Sequence, residues 1–99
     1  MKTLREIQRI LTSCLPYLQE QYAVTQLGIF GSYSRKEQTP SSDLDLLVEF
    51  NPDAPIGLLT FCELENYLSD VLGLPIDFVP KDSLRPHIGD RILQDVIYL

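Results

Sequence analysis

The run Asp43-Leu44-Asp45-Leu46-Leu47-Val48 sets two carboxylates into a segment whose other residues are all large and aliphatic. At the two-residue period of a β-strand, Leu44, Leu46 and Val48 go to one face, and Asp43, Asp45 and Leu47 to the other. Both carboxylates then point the same way, roughly 6 to 7 Å apart along the strand. Side by side on a half-buried sheet they repel one another and lose hydration, so a positive partner is expected between them. Mg2+ meets that need, because it takes one or two carboxylates together with waters and phosphate oxygens. On its own the tripeptide is also what an Asp43 capping the Ser41-Ser42 turn and an Asp45 facing water on an edge strand would produce.

The flanking pattern is that of a small α/β protein. Thr3 with Glu6 has capping-box spacing, and Ile7, Ile10, Leu11, Cys14 and Leu15 recur at helical period behind it. Pro16 is expected to end or kink this helix, with Leu18 and Tyr22 continuing the stripe on a second short segment. Val24–Phe30 reads as a buried strand, residues 32–37 as a short helical turn, 38–42 as a polar loop and 43–50 as the second strand. Residues 51–55 form a loop before a helix over 58–72, whose stripe takes in Leu58, Phe61, Leu64, Leu68, Val71 and Leu72. Gly73 and Pro75 are its stop signal. Residues 76–79 form a third strand, and a closing amphipathic helix from about Pro86 carries Ile88, Ile92, Leu93, Val96 and Ile97. The expected fold class is α/β, a small mixed sheet flanked by helices in one domain spanning 1–99.

Two further sites carry chemistry. Asp77 lies between Ile76 and Phe78-Val79 in a strand too apolar for an exposed edge, so its carboxylate needs a partner. If that strand lies beside the second one in register, Asp77 joins Asp43 and Asp45, and three carboxylates can hold two ions for in-line phosphoryl transfer. A helix terminus or a basic side chain would also serve as its partner. Upstream, Phe30-Gly31-Ser32 places a glycine and a serine where a strand turns over. Gly31 lacks the Cβ that would block a phosphate, while the free amides and the Ser32 hydroxyl can bond its oxygens. Arg35, one turn further on, can reach phosphate or brace the loop. Any strand-to-helix turn favours glycine and serine, so this signal alone is weak.

Gly31-Ser32, ten residues, Asp43-Leu44-Asp45 and a later Asp77 in an apolar strand together resemble the signature of the polymerase-β-like nucleotidyltransferase superfamily. More narrowly, Gly-Ile-Phe-Gly-Ser-Tyr-Ser-Arg with Ser-Asp-Leu-Asp-Leu-Leu-Val is similar to the minimal nucleotidyltransferase (MNT) family, over essentially the whole chain. The resemblance implies the polymerase-β-like fold and a Mg2+-dependent transfer of a nucleotide, with two Mg2+ ions and ATP as substrate. It implies Asp43, Asp45 and Asp77 as metal ligands, Asp77 assisting removal of the acceptor proton, and Gly31, Ser32 and Arg35 as phosphate-binding residues. The implied partner is a cognate HEPN-type ribonuclease toxin, to a tyrosine of which AMP would be transferred, making this chain an antitoxin. A non-catalytic antitoxin acting by contact is the alternative, and an aminoglycoside-type transferase a weaker third, since little chain is left for a small-acceptor pocket. Family members often carry Ala-Arg-Gly after Gly-Ser-x, where this chain has Ser34-Arg35-Lys36. Lys36 replaces a residue free to take positive φ, so a different local turn is expected there.

Charge narrows the partners. The 99 residues hold 14 acidic and 8 basic side chains, a net −6, and no basic run that could line a nucleic-acid groove. Residues 51–99 carry eight of the acidic groups against three basic ones, a surface that would steer a basic protein. No apolar run reaches membrane-spanning length and residues 1–6 lack a signal peptide's core, so a cytoplasmic protein without a membrane partner is expected. Cys14 and Cys62 read as small buried hydrophobes and His87 as a surface or capping residue. Tyr17, Tyr22, Tyr33, Tyr67 and Tyr98 read as core-packing or interface residues, and Arg85 and Arg91 as parts of a solvated face.

Overall fold

The computed structural model describes residues 2–54, 56–84 and 86–99, with the side chains of 86–88 left out. The readings of Arg85 and of the His87 and Ile88 side chains therefore fall outside the described residues.

Helix α1, Leu4–Tyr22, opens on the expected capping box: the Glu6 amide donates to Thr3 Oγ1 at 3.2 Å, and the Thr3 amide donates to Glu6 Oε1 at 3.4 Å. It does not stop at Pro16, which lies inside one continuous helix. Pro16 removes the amide that Thr12 would otherwise bond, but both residues are exposed, so the freed carbonyl is open to solvent. Meanwhile Ile7, Leu11, Cys14 and Leu18 stay buried along one unbroken stripe and hold the helix together across the proline. The helix ends on Ala23 in the left-handed region, φ 57°.

Strands β1 (Val24–Phe30) and β2 (Leu44–Phe50) pair antiparallel, and β2 pairs parallel with β3 (Ile76–Pro80). Parallel strands need a crossover, and helix α2 (Leu58–Leu72) supplies it. Helix α3, Pro86–Asp95, ends two residues before a short strand β4, Ile97–Tyr98, which pairs antiparallel with β1. The sheet order is thus β3-β2-β1-β4. The sequence pattern predicts three strands with Val96 and Ile97 on the closing helix, whereas Ile97 lies in a fourth strand and Val96 just before it. The fourth strand exists because Gly28, having no side chain, admits Val96 and Tyr98: a Cβ there would lie 2.5 Å from Val96 Cγ2.

Ile7, Leu11, Cys14 and Leu18 of α1 join Leu64, Leu68 and Leu72 of α2 over Leu27, Ile29, Leu44, Leu46, Val48 and Phe78 of the sheet. The alternation expected of β2 is kept, with Leu44, Leu46 and Val48 in this core and Leu47 buried outside it. Helix α3 lies against β1. In α2, Leu58 and Val71 do not join the buried stripe; Leu58 is 77% exposed. Cys62 is exposed while Cys14 is buried, so only the first behaves as a core hydrophobe. Cys62 sits two residues from Leu64, roughly 200° around the helix, which turns it away from the core.

Candidate active site

The carboxylates gather at one end of the sheet, where β2 and β3 begin and β1 finishes. Asp45 and Asp77 are direct Cα partners in the parallel pair, as Leu44 is with Ile76. The Leu44 amide bonds the Pro75 carbonyl at 2.9 Å, extending the ladder to the point where β3 enters the sheet. Asp43 stands just before β2 and is exposed, while Asp45 lies within the strand. Asp77 is exposed too, which corrects the expectation of a buried strand: β3 is the sheet's edge, and its apolar burial is concentrated in Phe78.

Asp45 is half-buried, and its carboxyl is pushed up to about 6. Burial is the main cause, followed by the charges of Asp77 and Asp43 and a hydrogen bond with Asp77, while the Arg35 guanidinium pulls the other way. The charges of Asp77 and Asp43 thus both bear on Asp45, and a cation at this point would relieve the repulsion. Their hard oxygen donors suit Mg2+ rather than a soft metal. Among the described residues no group of three or more His, Cys, Asp or Glu side chains stands in ligating geometry. The arrangement is an adjacent Asp45–Asp77 pair with Asp43 acting through its charge, and not a closed cage.

Gly31 ends β1 beside this pair. Its φ is 73°, and a Cβ on it would collide with the Asp45 carboxylate, whose Cγ would be 2.9 Å away. Glycine is thus required twice, by backbone conformation and by the close approach of Asp45. The following residues make the expected single helical turn, in which the Arg35 amide donates to the Gly31 carbonyl at 3.3 Å. The Glu37 amide donates to the Ser32 carbonyl at 2.8 Å and the Lys36 amide to that of Tyr33 at 3.2 Å. These are the paired bonds of a Schellman motif, with Lys36 at the left-handed position, φ 58°. The turn is therefore kept despite the absent glycine, at some conformational cost. Tyr33, 1% exposed, anchors it in the core, and Ser34 Oγ donates to the Gly31 carbonyl at 2.9 Å. Ser32 is half-buried, and its hydroxyl makes no hydrogen bond among the described residues.

Arg35 reaches two carboxylates, Glu37 at 3.3 Å and Asp95 of α3 at 3.6 Å. A cavity of about 230 Å3 opens between the turn and α3, lined by Phe30, Gly31, Arg35, Arg91, Ile92 and Asp95. Arg91 and Asp95 are thus part of the site's surroundings. Sequence reasoning left Arg91 on a solvated face and did not single out Asp95. The usable signal was their four-residue spacing, which puts both on one side of α3. A second cavity, about 400 Å3, lies among Phe50, Asn51, Pro52, Ile56, Phe61, Pro80 and Asp82, at the opposite ends of β2 and β3 from the carboxylates.

The profile of the nucleotidyltransferase domain family matches residues 11–99. The chain is 46% identical over 99 residues to the protein adenylyltransferase MntA of Thermococcus cleftensis, covering all of this chain and 98% of that protein. A solved structure provisionally described as a minimal nucleotidyltransferase superposes with a TM-score of 0.77 at 28% identity, covering 99% of this chain and 97% of that one. The fold is shared as well with a chain from the complex of tri-AMPylated Shewanella oneidensis HEPN toxin and MNT antitoxin. There the TM-score is 0.66 at 18% identity, over 93% of this chain and 70% of that one.

Proposed function

Because this chain belongs to the nucleotidyltransferase domain family, we propose that it is a Mg2+-dependent adenylyltransferase that moves AMP from ATP to a tyrosine hydroxyl of a HEPN-type toxin and so acts as an antitoxin. The observation that carries the reading is the lateral pairing of Asp45 with Asp77 beside Gly31, whose missing Cβ lets the Asp45 carboxylate lie directly against the turn. The likeness to the Thermococcus cleftensis protein adenylyltransferase supports AMP as the transferred group, and the fold shared with a chain of the HEPN toxin–MNT antitoxin complex supports the partner.

Asp43, Asp45 and Asp77 would hold the metal. When bound, Mg2+ neutralises carboxylate and polyphosphate charge and lowers the pKa of a coordinated hydroxyl. The amides after Gly31 and the Ser32 hydroxyl donate to phosphate oxygens, and Arg35 offsets their charge. The acceptor oxygen forms a bond to the α-phosphorus while the bond from that phosphorus to the bridging oxygen breaks, releasing pyrophosphate. Asp77, exposed on the edge strand, is open to a protein acceptor and receives the hydroxyl proton. Holding the reactants in line supplies most of the rate gain, with no covalent enzyme intermediate.

Mass spectrometry of a cognate HEPN protein incubated with this protein, ATP and Mg2+ tests the reading. The toxin should gain AMP, and the gain should vanish with Asp45→Asn. An unmodified toxin that is still inhibited at equal stoichiometry by the Asp43→Asn, Asp45→Asn double variant would establish the contact-only antitoxin instead.

A further inference from the structure

Across the sheet the order of elements is β3, β2, β1, and α3 lies against β1. The site residues follow the same order: Asp77 on β3, Asp45 on β2, Gly31 at the end of β1, then Arg91 and Asp95 on α3 across a cavity. In-line displacement places the attacking and leaving oxygens on opposite sides of the phosphorus. With the acceptor entering at the exposed edge by Asp77, the leaving pyrophosphate extends past Gly31 toward that cavity. The charge needed there is positive, because three carboxylates stand on the acceptor side and the departing group gains negative charge as the bond breaks.

Arg35 supplies only part of that charge. Its guanidinium is already answered by Glu37 and Asp95, at 3.3 and 3.6 Å. Arg91 lines the same cavity, is exposed and joins no ion pair among the described residues. Asp95, four residues on and on the same side of α3, holds Arg35 rather than Arg91. The cavity wall contributed by α3 therefore presents a guanidinium whose fork suits phosphate oxygens.

Resting on the adenylyltransferase reading above, we infer that Arg91 binds the β- and γ-phosphates of the nucleotide. Helix α3 is then part of the active site and selects triphosphates over monophosphates. Arg91 touches the leaving group and draws off its developing charge, while the adenine and ribose lie elsewhere.

Calorimetric titration of the full chain with MgATP and, separately, with AMP tests this. A charge-assisted bond is worth a factor of about 10 to 100, so Arg91→Gln should weaken MgATP binding by about that factor and leave AMP within about twofold. Arg91→Lys should recover part of the loss, and neither exposed substitution should move the melting temperature. Pyrophosphate should compete with MgATP on the wild-type protein and lose that ability in Arg91→Gln. If the wild-type protein binds MgATP and Arg91→Gln binds it equally well, the inference is overturned and the adenylyltransferase reading stands. Equal losses for AMP and ATP would move Arg91 to the nucleoside and also overturn it. A wild-type protein that binds no MgATP overturns both.

Discussion

Asp45 and Asp77 face each other across the parallel β2–β3 pair, one half-buried and the other exposed on the edge strand. Burial is the main cause that pushes the Asp45 carboxyl up to about 6, and the Asp77 charge that the pairing brings beside it adds to the rise. The Asp43 charge acts from two residues away in the chain, whereas that of Asp77 is brought in by sheet register. Asp77 stays open to whatever approaches the edge.

The raised Asp45 pKa has a definite sign in stability. Below the ordinary value of 3.8 the carboxyl is protonated whether folded or unfolded, and it costs nothing. Between 3.8 and about 6 the unfolded chain ionises first, so the folded state loses ground as pH rises, and above that range the penalty is complete. Asp45→Asn should therefore raise the melting temperature of metal-free protein in EDTA at pH 8, with no gain at pH 3.5. Equal gains at both pH values would show that charge is not the cause.

Lys36 and Ala23 both hold left-handed backbone, at φ 58° and 57°. An L-residue there costs about 1 to 2 kcal/mol that glycine avoids, less the added entropy of a freer unfolded chain. Lys36→Gly and Ala23→Gly should each stabilise by up to about 1 kcal/mol in urea denaturation. Lys36→Val should destabilise, because a β-branched side chain tolerates that region least.

Gly31→Ala should be far more damaging than its size suggests. It combines the left-handed penalty at φ 73° with a collision against the Asp45 carboxylate. The expected outcome is loss of nucleotidyl transfer together with a lowered melting temperature. Transfer at the wild-type rate would mean that Asp45 swings aside without cost.

Tyr33 ties the turn after Gly31 to the core. Tyr33→Ala removes a buried aromatic ring and should cost about 3 to 5 kcal/mol in chemical denaturation, whereas Tyr33→Phe keeps the packing and should cost far less. If Tyr33→Ala were nearly neutral, the ring would not be what holds the turn.

Much of the local structure is legible in the residues themselves. The Thr3–Glu6 capping box, the stop at Gly73, the alternation of β2 and the strand ending at Gly31 all depend on neighbours a few positions apart. Pro16 misled because a helix-breaking residue is judged locally, while the buried stripe from Ile7 to Leu18 runs along the whole helix. The sequence pattern assigned Cys62 and Leu58 to the core of α2, and tertiary packing left both exposed. The phase of α2 is set by which of its leucines meet the sheet.

What the sequence by itself determined is the kit of parts: the helices and first three strands, with carboxylates at the head of one strand, one inside another and a glycine at the end of a third. Period and turn chemistry act over a few residues, so they can be read one segment at a time. What only the tertiary structure decided is which parts meet. The β2–β3 register set Asp77 beside Asp45, and the edge position of β3 left Asp77 exposed. The return of the C-terminus made β4 and brought Arg91 and Asp95 to the Gly31 turn. Those relationships join residues far apart in the chain. They follow from the burial of α1 and α2 on one face and the backbone pairing of β4 with β1, which no local pattern encodes.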